Sequence, residues 1–145
     1  MKNRETVTIE GPQGIFLLDE KSDRHQLFIA WESGFGPISS LIQHFISLDM
    51  ENPLSFYWLS REEPYLHNHA RSWGSVLEPF HYQWIEPITS DPKALATQLI
   101  QQLQQDVPIE SCDFYIAAPA PLLITLSEQL LELGLGETQL HGSPL

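Results

Sequence analysis

The stretch IAWESGFGPISSLIQHF, residues 29–45, decides the fold of this 145-residue chain. It begins with the apolar end of a β-like run, passes through two glycines, and continues as a helix with Pro37 in its first turn, where proline is favoured. A strand, a glycine-containing turn and a helix together bind phosphate groups at a helix N-terminus. Trp31 and Glu32, however, stand where such a turn favours small and neutral side chains.

The alternation of strand and helix continues along the chain. Residues spaced for one buried helix face follow Pro37, namely Ile38, Leu41, Ile42, Phe45 and Ile46. Strands are predicted at residues 26–30, 54–59, 81–85, 113–117 and 138–142. Further helices are predicted at residues 61–73, after the capping residue Asp91, and at residues 122–133. This order predicts an α/β domain with a parallel sheet that helices cover on both faces.

The first residues have a different pattern. Two short β-like runs, residues 6–9 and 15–18, flank Gly11-Pro12-Gln13-Gly14 and predict a β-hairpin before a charged linker. We therefore divide the chain into residues 1–24, the hairpin and linker, and residues 25–145, the α/β domain. In such domains a ligand binds beyond the carboxyl ends of the strands, so the turns at residues 31–36 and 118–121 are the expected ligand positions.

Charge and composition exclude several classes of partner. Seven Lys and Arg against 19 Asp and Glu give a formal net charge of -12. Duplex nucleic acid and anionic lipid both require a basic face, so we expect no nucleic acid and no membrane as partner. Because no apolar run reaches ~20 residues and the N-terminus lacks an apolar signal segment, we expect a cytoplasmic protein. The single cysteine, Cys112, is interpreted as a buried thiol.

Four segments together carry a resemblance to a known family. They are GPQGIFLL (residues 11–18), QLFIAWESGFGPISSLIQH (26–44), LSFYWLSREEPYL (54–66) and DFYIAAPAPLL (113–123). They resemble the nicotinamide-binding half of the ferredoxin reductase-like flavoproteins, above all the oxygenase-type and deoxysugar-type flavin reductases. The resemblance implies a three-layer Rossmann-like domain with a five-stranded parallel sheet, preceded by a hairpin remnant of the flavin barrel. In that family a hydride passes from NAD(P)H to a flavin, which transfers single electrons onward.

The resemblance also implies which residues hold a cofactor. Arg61 follows the second strand, where relatives contact the adenosine ribose or its phosphate. The neighbouring Glu62 and Glu63 oppose a 2′-phosphate and favour NAD over NADP. The cofactor-binding positions implied in this way are Ser33, Gly34, Arg61, Ala118 and Pro119.

The turn after the first strand departs from the family pattern. The family usually has Gly-Gly-Thr-Gly there, and this chain has Trp31, Glu32, Ser33 and Gly34. Glycines let the backbone approach the cofactor phosphates, whereas an indole fills that space and a carboxylate repels them. We therefore predict that Trp31 and Glu32 block the site, although Glu32 has Arg61 as an alternative partner.

Other family features are also altered. The fourth strand typically ends in Cys-Gly-Pro in the family and reads Ala117, Ala118, Pro119 here, so the thiol beside the hydride-transfer position is absent. The C-terminal HGSPL lacks the aromatic residue with which relatives often cover the flavin. Nothing in the sequence resembles the family's flavin motif, so we expect no FAD site and assign no catalytic residue.

Other site chemistries are weaker interpretations. His67, His69 and His81 lack the cysteine or carboxylate pattern that would complete a metal site, so no metal is predicted. Ser33 does not stand in a G-x-S-x-G nucleophile turn. Trp31 and Phe35 are expected to be exposed in the turn, where they either contact a partner or fill the former site.

Two hypotheses remain open. The first is a non-catalytic interaction module with a degenerate cofactor site and a protein partner or self-association. The second is an electron-transfer module that binds NADH and passes a hydride to a flavin held by another domain or chain. Binding of NADH separates them.

Overall fold

Strands and helices alternate through the computed structural model, which describes residues 18–62, 67–75, 77 and 79–145. Its strands are β1 (His25–Trp31), β2 (Leu54–Leu59), β3 (Phe80–Ile85), β4 (Cys112–Ala118) and β5 (Leu140–Pro144). Its helices are α1 (Phe35–Ser47), α2 (His67–Ser72), α3 (Pro92–Asp106) and α4 (Ala120–Glu132). Single 3₁₀ turns lie at Glu32–Gly34, Trp73–Ser75, Ile109–Ser111 and Glu137–Gln139.

The strands form one five-stranded sheet in the order β3-β2-β1-β4-β5. All four neighbouring pairs are parallel. The predicted α/β class, the parallel sheet and its five strands are therefore confirmed. After β1 the chain builds outward through β2 and β3, then returns to place β4 on the other side of β1. The connections leaving β1 and β4 thus diverge, which creates a crevice at the carboxyl ends of these two strands.

Two apolar cores lie on the two faces of the sheet. Leu27 and Ile29 of β1 face α3 and α4, whereas Phe28 and Ala30 face α1. All four side chains are fully buried. A strand buried on both faces reads as a continuous apolar run, which is why residues 26–30 were recognisable in the sequence.

The helix ends follow the local signals of the sequence. Asp91 caps α3 by accepting a hydrogen bond from the Ala94 N–H at 3.0 Å, and Pro92 is the first helical residue. The helix α1 begins at Phe35, so Pro37 lies in its first turn, where its missing N–H is not required. After α4, Gly134 adopts a φ of 107°, a left-handed conformation that favours glycine.

Some predicted bounds change. The last strand, predicted at residues 138–142, is Leu140–Pro144, because Glu137–Gln139 forms a 3₁₀ turn in which the Gln139 side chain accepts a hydrogen bond from the Gly136 N–H at 2.9 Å. Within the predicted helix at residues 61–73, the described α-helix is His67–Ser72. The predicted hairpin falls almost entirely on residues outside the described part of the chain.

Two further sequence expectations concern burial and the membrane. Cys112 is buried, as predicted, and burial raises the pKa of its thiol to about 12, with Asp113 and Glu110 adding to the shift. At neutral pH this thiol is protonated and therefore a poor nucleophile. Among the described residues, no helix combines the length and the apolar character needed to cross a bilayer.

Candidate functional site at the carboxyl edge of the sheet

The turn after β1 packs directly on the end of β4. A Cβ atom added to Gly34 would lie 2.6 Å from the Ala117 carbonyl oxygen and 3.2 Å from the Ala117 Cβ. A contact of 2.6 Å with backbone is too short for any side chain, so glycine is required at this position. The two turns that the sequence indicated as ligand positions therefore meet in space.

The backbone of Glu32 is held in an unusual conformation. Its φ is 44°, in the left-handed region where glycine is favoured. Its carbonyl accepts a hydrogen bond from the Trp58 indole N–H at 2.9 Å. Since non-glycine residues lose about 1 kcal/mol or more in this region, neighbouring contacts must hold the turn.

The side chains of Trp31, Glu32 and Arg61 form one group, the Trp31–Glu32–Arg61 cluster. The Arg61 guanidinium donates to the Glu32 carboxylate at 3.1 Å and lies 5.3 Å from the centre of the Trp31 ring. Trp31 is half-buried and packs against the core beneath α3 and α4. The Arg61 and Glu32 side chains are 56% and 36% exposed. The cluster thus satisfies one cation with a carboxylate and an aromatic ring of the same chain.

The second turn is closed by the last described residue. The Ala118 carbonyl accepts a hydrogen bond from the Leu145 N–H at 3.0 Å. The Leu145 Cδ1 lies 3.3 Å from the position that a Cβ of Gly34 would occupy. Pro119 is partly exposed and directly precedes α4. Leu145 therefore occupies space between the two turns, and the sequence contained no signal for this contact.

The structure brings together most of the predicted cofactor-binding residues. Gly34 meets the end of β4 beside Ala118, Ser33 is exposed at the same turn, and Arg61 reaches the turn through Glu32. Glu62 is exposed, while Glu63 lies outside the described residues. The role of these residues in binding a cofactor stays a prediction.

The expected exposure of Phe35 is wrong. Its side chain is only 4% exposed and stacks between two indoles, with ring centres 4.5 Å from Trp58 and 5.7 Å from Trp73. Because α1 already begins at Phe35, this residue extends the buried helix face that continues at Ile38 and Ile42. The spacing of three and seven residues was the signal that would have placed it inside.

The resemblance places the phosphates of a dinucleotide in a cradle at the turn after β1. Ser33 and the start of the 13-residue helix α1 supply the polar end of such a cradle. Trp31 and Glu32 stand at the positions where the family has two glycines. That these two residues block the cradle stays a prediction. Among the described residues, no group of three His, Cys, Asp or Glu side chains is arranged to hold a metal ion.

Comparison with curated proteins found reductases, two of them NAD(P)H-flavin reductases. The NAD(P)H-flavin reductase of Aliivibrio fischeri is 36% identical over 64 residues, which cover 44% of this chain and 27% of that protein. The NAD(P)H-flavin reductase of Vibrio harveyi is 24% identical over 131 residues, covering 87% of this chain and 55% of the relative. The CDP-6-deoxy-L-threo-D-glycero-4-hexulose-3-dehydrase reductase of Yersinia pestis is 22% identical over 144 residues, which cover 96% of this chain and 43% of the relative.

Comparison with solved structures gives the same architecture. The cytochrome P450 reductase GcoB of Amycolatopsis superposes with a TM-score of 0.70 at 14% identity, covering 92% of this chain and 42% of that chain. The chain matches the NAD(P)-binding part of the ferredoxin reductase-like family. Its long sequence matches span about half the length of each relative. No family model matches the chain.

Proposed function

We propose that this chain is a ferredoxin reductase-like module whose cofactor turn is closed by its own side chains, and that it acts as a non-catalytic interaction module. The observation that carries the proposal is the position of Arg61, which binds Glu32 at 3.1 Å and lies 5.3 Å from the Trp31 ring centre. By the resemblance, Arg61 is the cation that would meet the adenosine part of the cofactor. In this chain a carboxylate already neutralises it.

The charge of Glu32 adds a direct penalty for a dinucleotide. A pyrophosphate at the start of α1 would lie beside this carboxylate. Two like charges about 5 Å apart, at an effective dielectric constant near 20, repel by roughly 3 kcal/mol, on the order of a hundredfold in affinity. Arg61 cannot fully offset this repulsion while it is paired with Glu32.

Packing accounts for two of the positions that the resemblance implies for cofactor binding, Gly34 and Ala118. Gly34 is required by the Ala117 carbonyl oxygen, which lies 2.6 Å from a potential Cβ. The Ala118 carbonyl is already paired with the Leu145 N–H at 3.0 Å. These contacts give both residues a structural role that does not depend on a bound cofactor.

The cluster also has the composition of a protein-binding surface. Trp and Arg are enriched among the residues that contribute most to protein interfaces. Here a half-buried indole, an exposed guanidinium and a carboxylate lie together at the carboxyl edge of the sheet. A protein partner that contacts this edge would bury Trp31 and Arg61 together.

The test is an NMR titration of the ¹⁵N-labelled chain with NADH, NADPH and FAD up to about 1 mM, a concentration that detects weak binding. The proposal expects no shifts at Ser33, Gly34, Arg61 or Ala118 in the wild type. It also expects NADH-dependent shifts in the double variant Trp31→Gly, Glu32→Gly. Specific shifts in the wild type below about 1 mM would overturn the closed-turn proposal.

The second candidate is an electron-transfer module that binds NADH beside a flavin held by another domain or chain. The exposure of the Arg61–Glu32 pair, 56% and 36%, favours it. Exposed ion pairs are worth less than about 1 kcal/mol, so a pyrophosphate can displace one. The similarity to NAD(P)H-flavin reductases also favours the electron-transfer module. If NADH binds the wild type, the variant Arg61→Gln should weaken that binding while Lys21→Gln, at a distant exposed loop, should not.

A further inference from the structure

The outer surfaces of α3 and α4 enclose a groove of about 640 Å³. Its floor is Ile100, which is 6% exposed. Thr97 and Gln101 of α3 and Thr125 and Gln129 of α4 line its walls. The Thr97 and Thr125 hydroxyls donate to the Lys93 and Pro121 carbonyls at 3.1 and 2.8 Å and are left as acceptors. The two glutamine amides both donate and accept hydrogen bonds, so this surface can pair with a copy of itself.

The charges of the groove are separated along its length. Each of the two helices leads from the carboxyl end of one parallel strand to the start of the next, so both run in the same direction. Lys93 lies in the first turn of α3, and Glu132 is the last residue of α4. The cation therefore lies at one end of the groove, while Glu132 and Glu128, one turn before it, lie toward the other.

These three charged side chains are unpaired within the part of the chain that the structure describes. Neither Lys93, Glu128 nor Glu132 takes part in an ion pair with any residue of the described chain. Leu133, which lines the groove at the same end as Glu132, is 40% exposed. The groove thus presents charges of both signs that are unpaired among the described residues, and the exposed apolar side chain of Leu133.

We propose that this groove is the contact surface of a two-fold symmetric dimer of the chain. A two-fold axis that lies in the plane of contact, perpendicular to the line from Lys93 to Glu132, reverses that line in the second copy. Lys93 of each copy then faces Glu132 of the other, which forms two equivalent ion pairs. The same operation brings the hydroxyl and amide walls together and covers Leu133. The pattern is isologous because one surface supplies both halves of each contact.

The size of the surface sets the expected strength. Helices of 15 and 13 residues are roughly 20 Å long, and two of them side by side present a face about 20 Å wide. A dimer across that face buries on the order of 1,000 Å² in total, at the low end of specific interfaces. We therefore expect a reversible dimer with a Kd in the micromolar range. No residue of the Trp31–Glu32–Arg61 cluster takes part in this contact. The test of the dimer is therefore independent of the proposal that the cofactor turn is closed.

Charge exchange tests the arrangement. Sedimentation equilibrium is run on the whole chain at about 0.15 M salt, where distant charges are screened. Lys93→Glu and Glu132→Lys should each turn two attractions into repulsions and weaken the dimer about tenfold or more. An equimolar mixture of the two variants should associate again, and so should the double variant, because both restore opposite charges at each contact.

The matched control is Lys21→Glu, which makes the same change of net charge at an exposed loop residue outside the groove. It should leave the dimer unchanged. Circular dichroism and thermal unfolding confirm that each variant keeps the fold. The proposal is overturned if the wild type is monomeric throughout the micromolar range, if Lys93→Glu behaves like Lys21→Glu, or if the mixture does not associate again.

Discussion

Arg61 and Glu32 are paired at 3.1 Å, which joins the segment after β2 to the turn after β1. The Glu32 backbone at this contact has a φ of 44°, and the Trp58 indole holds its carbonyl at 2.9 Å. An ion pair and a hydrogen bond therefore hold one strained residue, and the cation–π contact of Arg61 with Trp31 fixes the ion-pair partner. Strained backbone persists where such contacts over-determine it.

Glu32→Gly and Glu32→Ala separate strain from charge. Both variants lose the ion pair with Arg61, but only glycine adopts a φ of 44° without steric cost. We expect the glycine variant to be more stable than the alanine variant by about 1 kcal/mol in the free energy of unfolding. Urea unfolding measures the difference. Equal stability of the two variants would mean that the turn carries no backbone strain.

Gly34→Ala should be strongly destabilising. Its new Cβ would lie 2.6 Å from the Ala117 carbonyl oxygen, and that strand backbone cannot move aside. We expect a loss of about 2–3 kcal/mol, in the range of overpacked cores. Gly36→Ala is the control, because nothing lies within 4 Å of its potential Cβ and it stands in the first turn of α1. That variant should be neutral or up to about 1 kcal/mol more stable.

Phe35→Ala should destabilise the layer between α1 and the sheet. The ring is 4% exposed and lies between Trp58 and Trp73, with both interplanar angles close to parallel at 11° and 10°. Removing a buried phenylalanine costs about 3–5 kcal/mol. Ile124→Ala, at a side chain that is 42% exposed, should cost far less. Near-ultraviolet circular dichroism should change in the first variant only, since the first alone alters the stacking of the indoles.

His25 should make stability depend on pH. Burial lowers its pKa below 6.5, the charge of His81 lowers it further, and its Nε2 lies 2.8 Å from the Ser55 Oγ. Below about pH 6.5 the unfolded chain binds a proton at His25 more readily than the native chain does. The contribution of neutral His25 to the free energy of unfolding is therefore fully present above that pH. It is lost as the pH falls from about 6.5 toward the lowered pKa, by at most about 1.4 kcal/mol per pH unit.

The measurement is urea unfolding of the wild type and of His25→Gln at pH 7 and at about pH 5.5, within the window that the unfolded pKa sets. The variant should lose less stability between the two values. In a separate NMR titration, His81→Gln should raise the pKa of His25, because it removes the repelling charge. An identical loss of stability in wild type and His25→Gln would rule out this origin of the pH dependence.

Much of the fold was predictable because its signals are local. The strand predicted at residues 54–59 has the bounds Leu54–Leu59 in the structure, since an apolar run in a buried strand needs no distant information. Asp91 and Pro92 marked the start of α3 through capping chemistry that involves only the next three residues. The α/β class followed from the alternation of such elements.

The site was less predictable because its contacts are not local. Trp58 reaches the Glu32 carbonyl, and Leu145 reaches Ala118 and the space beside Gly34. Both contacts depend on which strands are neighbours in the sheet. The sequence contains the order of strands along the chain, but the sheet order β3-β2-β1-β4-β5 arises from packing.

By itself, the sequence determined the class of the domain, the position of the turn after β1 and the presence in it of an indole and a carboxylate. Only the tertiary structure decided that Phe35 lies inside and that Arg61, 29 residues away, is bound to Glu32. The physical reason is that helix and strand periodicity depend on neighbouring residues, whereas the pairing of a surface charge depends on the parallel register that sets β1 beside β2.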